Sequence, residues 1–228
     1  MQFELMSTLA VEKAFKSEIL PGWTAAGNPL AVSWDPTTKL VEAIEAGARA
    51  DVLVLIDAPM AKMVENGIIR ADSVTPIAQA RIGLGKRAGS EMPDISTAEC
   101  FRQALLDTPS IAYSLGGASG IYFGSLIERM GIADQIKAKA VTIPAGFTAE
   151  KVIAGEADMA VQQISELMSV DGIEVVGPFP DEYQVATDFS VAIFAEARNP
   201  DVAQEFLRHL TSDASRQAYA RGGLVPRF

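Results

Sequence analysis

The chain has 228 residues, of which 49% are hydrophobic and 21% are charged, which is enough for a sizeable core and unlike a disordered composition. The formal net charge is −10, and there is no run of Lys and Arg. Nucleic-acid binding is therefore disfavoured, because contacts to phosphates need a positive face. A small anion remains compatible with this charge, since backbone N–H groups at helix starts can form a local positive site.

Strands and helices alternate along the chain, which predicts an α/β fold. Apolar runs predict strands at residues 3–6, 30–34, 52–56, 81–86, 110–114, 141–143, 159–163, 173–176 and 188–194. Apolar residues at helical spacing predict helices at residues 9–15, 39–46, 60–65, 98–106, 121–130, 149–153 and 200–210, with a short helix starting at 165. The continuous apolar run at 52–56 is typical of a strand buried on both faces of a parallel sheet.

One glycine-rich segment, Gly116–Gly120, follows a predicted strand and precedes a predicted helix. It matches neither G-x-x-x-x-G-K-[ST] nor G-x-G-x-x-G, so nucleotide binding is not indicated. A cradle for an anion and a plain tight turn are both open interpretations of this segment.

The only cysteine is Cys100 and the only histidine is His209, and each lies in a predicted amphipathic helix. A disulfide within the chain is excluded, and a zinc site or a Cys/His or Ser/His catalytic pair has little support. We expect no metal and no cofactor. No apolar stretch approaches the roughly 18 residues that a membrane-spanning helix needs, so we expect no membrane insertion.

The N-terminal residues 1–6 lack the charged region and long apolar run of a signal peptide. We expect a periplasmic protein if a leader has been removed, and a cytoplasmic one otherwise.

Five segments carry a resemblance to a known family: Glu4–Phe15, Trp34–Leu55, Ile111–Ile132, Val152–Leu167 and Asn199–Pro226. They resemble, in order and over almost the whole chain, the molybdate-binding-protein-like family of bacterial extracellular solute-binding proteins. The most specific elements are the I-E-A-G-x-x-A-D pattern at 44–51 and G-E-A-D at 155–158. The resemblance also extends to aconitate isomerase.

The resemblance implies a two-lobed type II periplasmic-binding-protein-like fold, with mixed sheets, helices on both sheet faces and two crossover strands. Lobe 1 would contain residues 1–80 and 184–228, and lobe 2 would contain residues 81–183. The crossings would fall near 79–81 and 183–187, and a small anionic ligand would lie between the lobes.

The resemblance also implies a set of ligand-binding residues. Hydroxyls would come from one residue after the first strand and one in the loop before the second helix, and backbone N–H groups from two later helix starts. These positions are Ser7, Thr37 or Thr38, Ala118, Ser119, Gly120 and Thr148.

Gln162, followed by Gln163, stands where the molybdate-binding members place a tyrosine. This departure favours a carboxylate or a hydroxylated organic acid over molybdate. Arg81 lies near the first predicted crossing, where a guanidinium would bind a carboxylate through two hydrogen bonds. A surface position for Arg81 is the alternative.

Two functions from different classes follow. The first is a binding protein that captures a small oxyanion or organic di- or tricarboxylate and passes it to an ABC permease. The second is an isomerase of a tricarboxylate, which would need a general base and a group that stabilises the enolate. For that reaction the candidate bases are Glu166 and Asp57, and Arg81 would hold a carboxylate. Glu166 is equally well explained as an acid in the first turn of a helix.

Overall fold

The computed structural model describes residues 3–228. Its strands are β1 Phe3–Ser7, β2 Leu30–Trp34, β3 Val52–Ile56, β4 Thr75–Arg87, β5 Ile111–Ser114, β6 Ala140–Ile143, β7 Met159–Gln163, β8 Ile173–Pro178, β9 Ala186–Ile193 and β10 Val225–Pro226. Its α-helices are α1 Glu12–Ala14, α2 Leu20–Ala25, α3 Thr37–Glu45, α4 Asp57–Glu65, α5 Ala98–Asp107, α6 Ala118–Arg129, α7 Ala133–Lys137, α8 Ala149–Ile153, α9 Ile164–Leu167, α10 Pro200–Leu210 and α11 Asp213–Arg221.

The chain divides into two compact units. Unit 1 extends to Ala80 and resumes with Thr187–Phe228, and unit 2 is Arg81–Ala186. The chain leaves unit 1 within β4 and returns to it at the beginning of β9. The family resemblance predicts two lobes, crossings near 79–81 and 183–187, and a ligand bound between the lobes. This arrangement stays a prediction.

The sheet of unit 1 is mixed and has the order β2-β1-β3-β9-β4, with β10 antiparallel to β4. β1 is parallel to β2 and β3, whereas β9 is antiparallel to β3. Ser7, the last residue of β1, is in register with Trp34 of β2 and Val54 of β3. The carboxyl ends of these three strands therefore share one edge, which is the edge where ligands bind in open α/β sheets.

β3 is buried on both faces, as its continuous apolar run predicts. Val52 and Val54 pack in one cluster with residues of the helices on one side of the sheet. Leu53 and Leu55 pack in the opposite cluster, which holds side chains of α3 and α4. Helices therefore cover both faces of the unit 1 sheet. Tyr219 lies in the first cluster, and its burial raises the pKa of its hydroxyl, so the side chain stays neutral there.

Unit 2 also has a mixed sheet. β5 is parallel to β6 and β7, and β4 is antiparallel to both β7 and β8. Ile111 and Tyr113 of β5 face one core cluster together with Phe123 of α6. Ala112, between them in sequence, faces the other cluster, which includes Val152 of α8. The carboxyl ends of the parallel strands bring the start of α6 and the residues after β7 to one edge.

Several element bounds differ from the sequence expectation. The predicted strand at 81–86 is part of the 13-residue β4, and the first helical region runs on through a π-helical turn, Phe15–Ile19, and α2. α7, α11 and β10 were not predicted. Thr37 and Thr38, expected in the loop before the second helix, lie within the first turn of α3, because Pro36 is the N-cap and the helix begins directly after it.

No helix among residues 3–228 combines the length and the apolar character that a membrane crossing requires.

Candidate functional site

The carboxyl edge of unit 1 holds buried hydroxyls, among them those of Ser7 and Thr37. Ser7 is fully buried, and its Oγ makes a long 3.3 Å hydrogen bond to the carbonyl oxygen of Thr8. Thr37 is also buried, and its Oγ1 has no hydrogen-bond partner within residues 3–228. A buried hydroxyl without a partner costs free energy. A hydrogen bond from Thr37 Oγ1 to a ligand at the beginning of α3 would remove that cost. Thr38 is exposed on the same helical turn.

Asp57, a candidate base, is already engaged in unit 1. It is the first residue of α4, and its carboxylate accepts hydrogen bonds from Ser190 Oγ at 2.7 Å and from Arg227 Nη1 at 2.8 Å. Arg227 Nε also lies 3.4 Å from Asp188 Oδ1, which accepts a hydrogen bond from Gln79 Nε2 at 2.8 Å. Asp57 is thus tied into a network that joins α4, β9, β4 and the segment after β10.

The glycines that precede α6 are required by close packing against the end of β5. A Cβ at Gly120 would lie 1.7 Å from the carbonyl oxygen of Ser114, and a Cβ at Gly117 would lie 2.6 Å from Ser114 Oγ. The backbone N–H of Gly117 donates to the same Ser114 Oγ at 2.9 Å. Packing therefore explains these glycines, and it also brings the first turn of α6 onto the strand end.

The first turn of α6 presents unused hydrogen-bond donors in unit 2. Ile121 is the first residue of this helix whose N–H has a backbone acceptor, the carbonyl of Gly117. The N–H groups of Ala118, Ser119 and Gly120 have none within residues 3–228, as is usual for a helix start. Ser119 is 4% exposed, and within the same residues its hydroxyl forms no hydrogen bond. Ser119 Oγ is not among the fully buried side-chain atoms that lack a partner, so the oxygen itself is not sealed off. A helix N-terminus with three free N–H groups and a nearby hydroxyl is suited to an anion.

Gln162 and Thr148, both predicted to contact the ligand, contact each other. Gln162 Oε1 accepts from the Thr148 N–H at 2.8 Å and from Thr148 Oγ1 at 2.9 Å. Gln162 Nε2 donates to the carbonyl of Gly146 at 3.0 Å. The amide therefore holds the segment before α8 against β7. A contact of either residue with a ligand stays a prediction.

Gln163 and Glu166 form the start of α9. They make a capping box in which the Gln163 N–H donates to Glu166 Oε2 at 3.4 Å. This arrangement agrees with the interpretation of Glu166 as a first-turn acid. Between them lies Ser165, which is fully buried, and its hydroxyl has no partner within the described part of the chain. Only its place at a helix start distinguishes Ser165 in the sequence.

Arg81 carries a free guanidinium. The residue is exposed on β4, and its side chain makes no hydrogen bond or ion pair with any residue of 3–228. Arg227, by contrast, is neutralised by two carboxylates. Arg81 is therefore available to an external carboxylate.

The predicted site residues thus fall into one group in each unit. Ser7, Thr37, Thr38 and Asp57 lie at the carboxyl edge of the unit 1 sheet, and the other predicted residues belong to unit 2. Their convergence on a single ligand stays a prediction. Within residues 3–228, no three His, Cys, Asp or Glu side chains come together as a metal site would require.

Comparison with known proteins identifies the family. The family model described as bacterial extracellular solute-binding protein matches residues 10–225. The chain belongs to this family. A protein from Pseudomonas sp. named aconitate isomerase is 36% identical over 178 residues, covering 78% of this chain and 68% of its own length. The molybdate-binding protein ModA of Mycobacterium tuberculosis strain H37Rv is 23% identical over 211 residues, covering 88% of this chain and 76% of its own.

A solved structure supports the fold of this solute-binding protein. The periplasmic molybdate-binding protein of Azotobacter vinelandii superposes with a TM-score of 0.81 at 16% identity, over 100% of both chains. The predicted fold class, a mixed α/β fold of the type II periplasmic-binding-protein kind, is thereby confirmed. At this identity the likeness concerns the fold alone.

Proposed function

We propose that this solute-binding protein binds a small organic anion, a di- or tricarboxylate, and delivers it to an ABC permease from the periplasm. The observation that carries the proposal is the free donor set at the start of α6, where three N–H groups without a backbone acceptor lie next to Ser119, a residue that is 4% exposed. The free Thr37 hydroxyl at the start of α3 is a second donor of the same kind, in unit 1.

The charges of the chain favour a carboxylate ligand. Neutral donors at helix starts stabilise a dehydrated anion without adding positive charge, which suits a protein with net charge −10. The free guanidinium of Arg81 adds one cation whose two parallel N–H groups match the geometry of a carboxylate. Gln162, which replaces the tyrosine of molybdate-binding members, is committed to Thr148 and Gly146.

Ligand class can be tested by thermal unfolding with trans-aconitate, citrate, molybdate, tungstate and sulfate at equal concentration. A ligand that binds only the folded state at 100 times its Kd adds about 2.7 kcal/mol to the free energy of unfolding. We expect stabilisation by a carboxylate to exceed that by molybdate. Stabilisation by molybdate and tungstate alone would contradict the proposal.

Replacing Ser119 with Ala should weaken binding of the stabilising carboxylate about tenfold, because a hydrogen bond to a charged group is lost. Titration calorimetry measures the change in Kd. Ser169→Ala is the matched control in unit 2, since its hydroxyl is used internally on the Ser165 carbonyl. Equal affinity of Ser119→Ala and wild type would remove the start of α6 from the site.

The second candidate function is isomerisation of a tricarboxylate, and the 36% identity to the protein named aconitate isomerase favours it. The reaction would remove a proton from a carbon of the ligand and return one at another carbon, so that the double bond moves and no atom is gained. Among the candidate bases, Asp57 is held by Ser190 and Arg227, and Glu166 is held in a capping box. Either carboxylate would have to leave a hydrogen bond to accept the proton.

Hydrogen exchange separates the two functions. In deuterated water, an isomerase incorporates deuterium into bound aconitate, whereas a carrier binds it unchanged, and NMR of the ligand reports the difference. We expect Arg81→Gln to weaken aconitate binding about tenfold in either case, through loss of one charge-assisted contact. Arg102→Gln, on α5 of the same unit, is the control. Exchange in the wild type would favour the isomerase, and its loss in Glu166→Gln would identify Glu166 as the base.

A further inference from the structure

Two large apolar side chains that flank the start of α6 in sequence are exposed to solvent. Leu115 is 60% exposed and Ile121 is 53% exposed, which makes them the most exposed large hydrophobic residues in the described part of the chain. Leu115 directly follows the last residue of β5, and Ile121 is the fourth residue of α6. Between them in sequence lies the donor set of Ala118–Gly120.

The exposure of these side chains is fixed by a rigid backbone. The Leu115 N–H donates to the carbonyl of Ile143 at 2.8 Å, which continues the pairing of β5 with β6. Gly117 is bonded to Ser114 Oγ, and the first turn of α6 packs on the Ser114 carbonyl. The segment therefore has little freedom to fold either side chain back onto the protein.

A single exposed leucine is ordinary on a protein surface. The informative feature here is the combination of two such side chains with the unused N–H donors and the Ser119 hydroxyl at the start of α6. A compact inorganic oxyanion needs donors alone. An anion with a hydrocarbon skeleton needs donors for its charged group and apolar side chains for its carbon chain, which is the usual composition of small-molecule sites.

We propose that Leu115 and Ile121 are specificity-determining residues, which select a carboxylate with a hydrocarbon skeleton over an inorganic oxyanion. This inference rests on the proposed function, because it takes the start of α6 as part of the anion site. The contact removes apolar surface of both ligand and protein from water. For about 50 Å² of such surface at each of the two side chains, the expected gain in affinity is about eightfold per side chain.

The test compares Leu115→Ser and Ile121→Ser with the wild type by titration calorimetry of the full chain. The probes are trans-aconitate, which has a carbon skeleton, and two anions without C–H groups, oxalate and molybdate. We expect each variant to bind trans-aconitate about eightfold more weakly and to keep the affinity for oxalate and molybdate within twofold. Val74→Ser, another exposed apolar position but in unit 1, should leave all three affinities unchanged.

Both substituted side chains are exposed, so the variants should fold, and unfolding without ligand checks this. Unchanged trans-aconitate affinity in both variants would overturn this inference and leave the proposed function intact. Equal weakening of trans-aconitate and the two other anions would also overturn it, since the side chains would then act on the donors rather than on the carbon skeleton. Failure of the wild type to bind any of the three anions would contradict the proposed function, and this inference with it.

Discussion

Replacing Gly120 with Ala should destabilise the protein by at least about 3 kcal/mol, the upper range for overpacking of a tightly packed position. The new Cβ would lie 1.7 Å from the carbonyl oxygen of Ser114, which is backbone and cannot rotate away. The first turn of α6 would have to separate from β5, and the donor set for the proposed anion would move with it. Urea denaturation monitored by circular dichroism measures the loss.

Gly124→Ala is the matched control on the same helix. A Cβ at Gly124 meets no atom within 4 Å, so the change should stabilise α6 by about 0.5–1 kcal/mol through helix propensity. The stability of Gly117→Ala should lie between those of Gly120→Ala and Gly124→Ala, because the new Cβ meets the hydroxyl of Ser114 rather than backbone. If Gly120→Ala is too unstable to purify, Gly117→Ala still reports on the packing. Equal stability of all three variants would contradict the close approach of α6 to β5.

Sequence patterns predicted the elements whose signals are local. The strands Leu30–Trp34, Val52–Ile56 and Met159–Gln163 and the helix Pro200–Leu210 have the predicted bounds. Each has a dense apolar run or a clear helical spacing, with Gly, Pro, Asn or Asp at one end. The polar helix α11 was missed, because Tyr219 is the one large side chain on its inward face and the others there, Ser215 and Ala218, are small.

Some bounds depend on partners that are distant in sequence. β4 begins six residues before the predicted strand, and in that part it pairs with β10, which is near the other end of the chain. The sequence at the beginning of β4 contains Pro76, and a proline weakens the signal for a strand. Pairing with a strand about 150 residues away decides the structure there, and no local pattern contains that information.

The candidate site was predicted less completely than the fold. The helix starts at Ser119 and Thr37 could be selected from sequence, but their lack of hydrogen-bond partners could not, since it depends on every neighbouring atom. The same applies to Asp57, whose carboxylate meets Arg227 from the other end of unit 1. Leu115 and Ile121 gave no sequence signal, because an apolar residue beside a glycine-rich turn is normally assigned to the core.

Replacing Gln162 with Leu should cost about 3 kcal/mol of folding free energy. Gln162 is 4% exposed, and its amide makes hydrogen bonds with Thr148 N, Thr148 Oγ1 and the Gly146 carbonyl. Leucine has a similar size, so the core remains filled, but the buried Thr148 N–H and the half-buried Gly146 carbonyl lose their partner, while Thr148 Oγ1 keeps the Val161 carbonyl. Each unsatisfied buried group costs about 1–3 kcal/mol, part of which water entering the segment can recover. Denaturant unfolding gives the value.

The comparison variants decide whether Gln162 acts on the fold or on a ligand. Gln103→Leu, on the exposed surface of α5 with one bond to Asp107, should change stability by less than about 0.5 kcal/mol. Thr148→Val removes only the Oγ1 bonds and should cost about 1 kcal/mol. If Gln162 has a structural role, the loss of stability without ligand should be largest for Gln162→Leu, smaller for Thr148→Val and smallest for Gln103→Leu. A Gln162→Leu variant as stable as the wild type, yet unable to bind the carboxylate, would instead place Gln162 in direct contact with the anion.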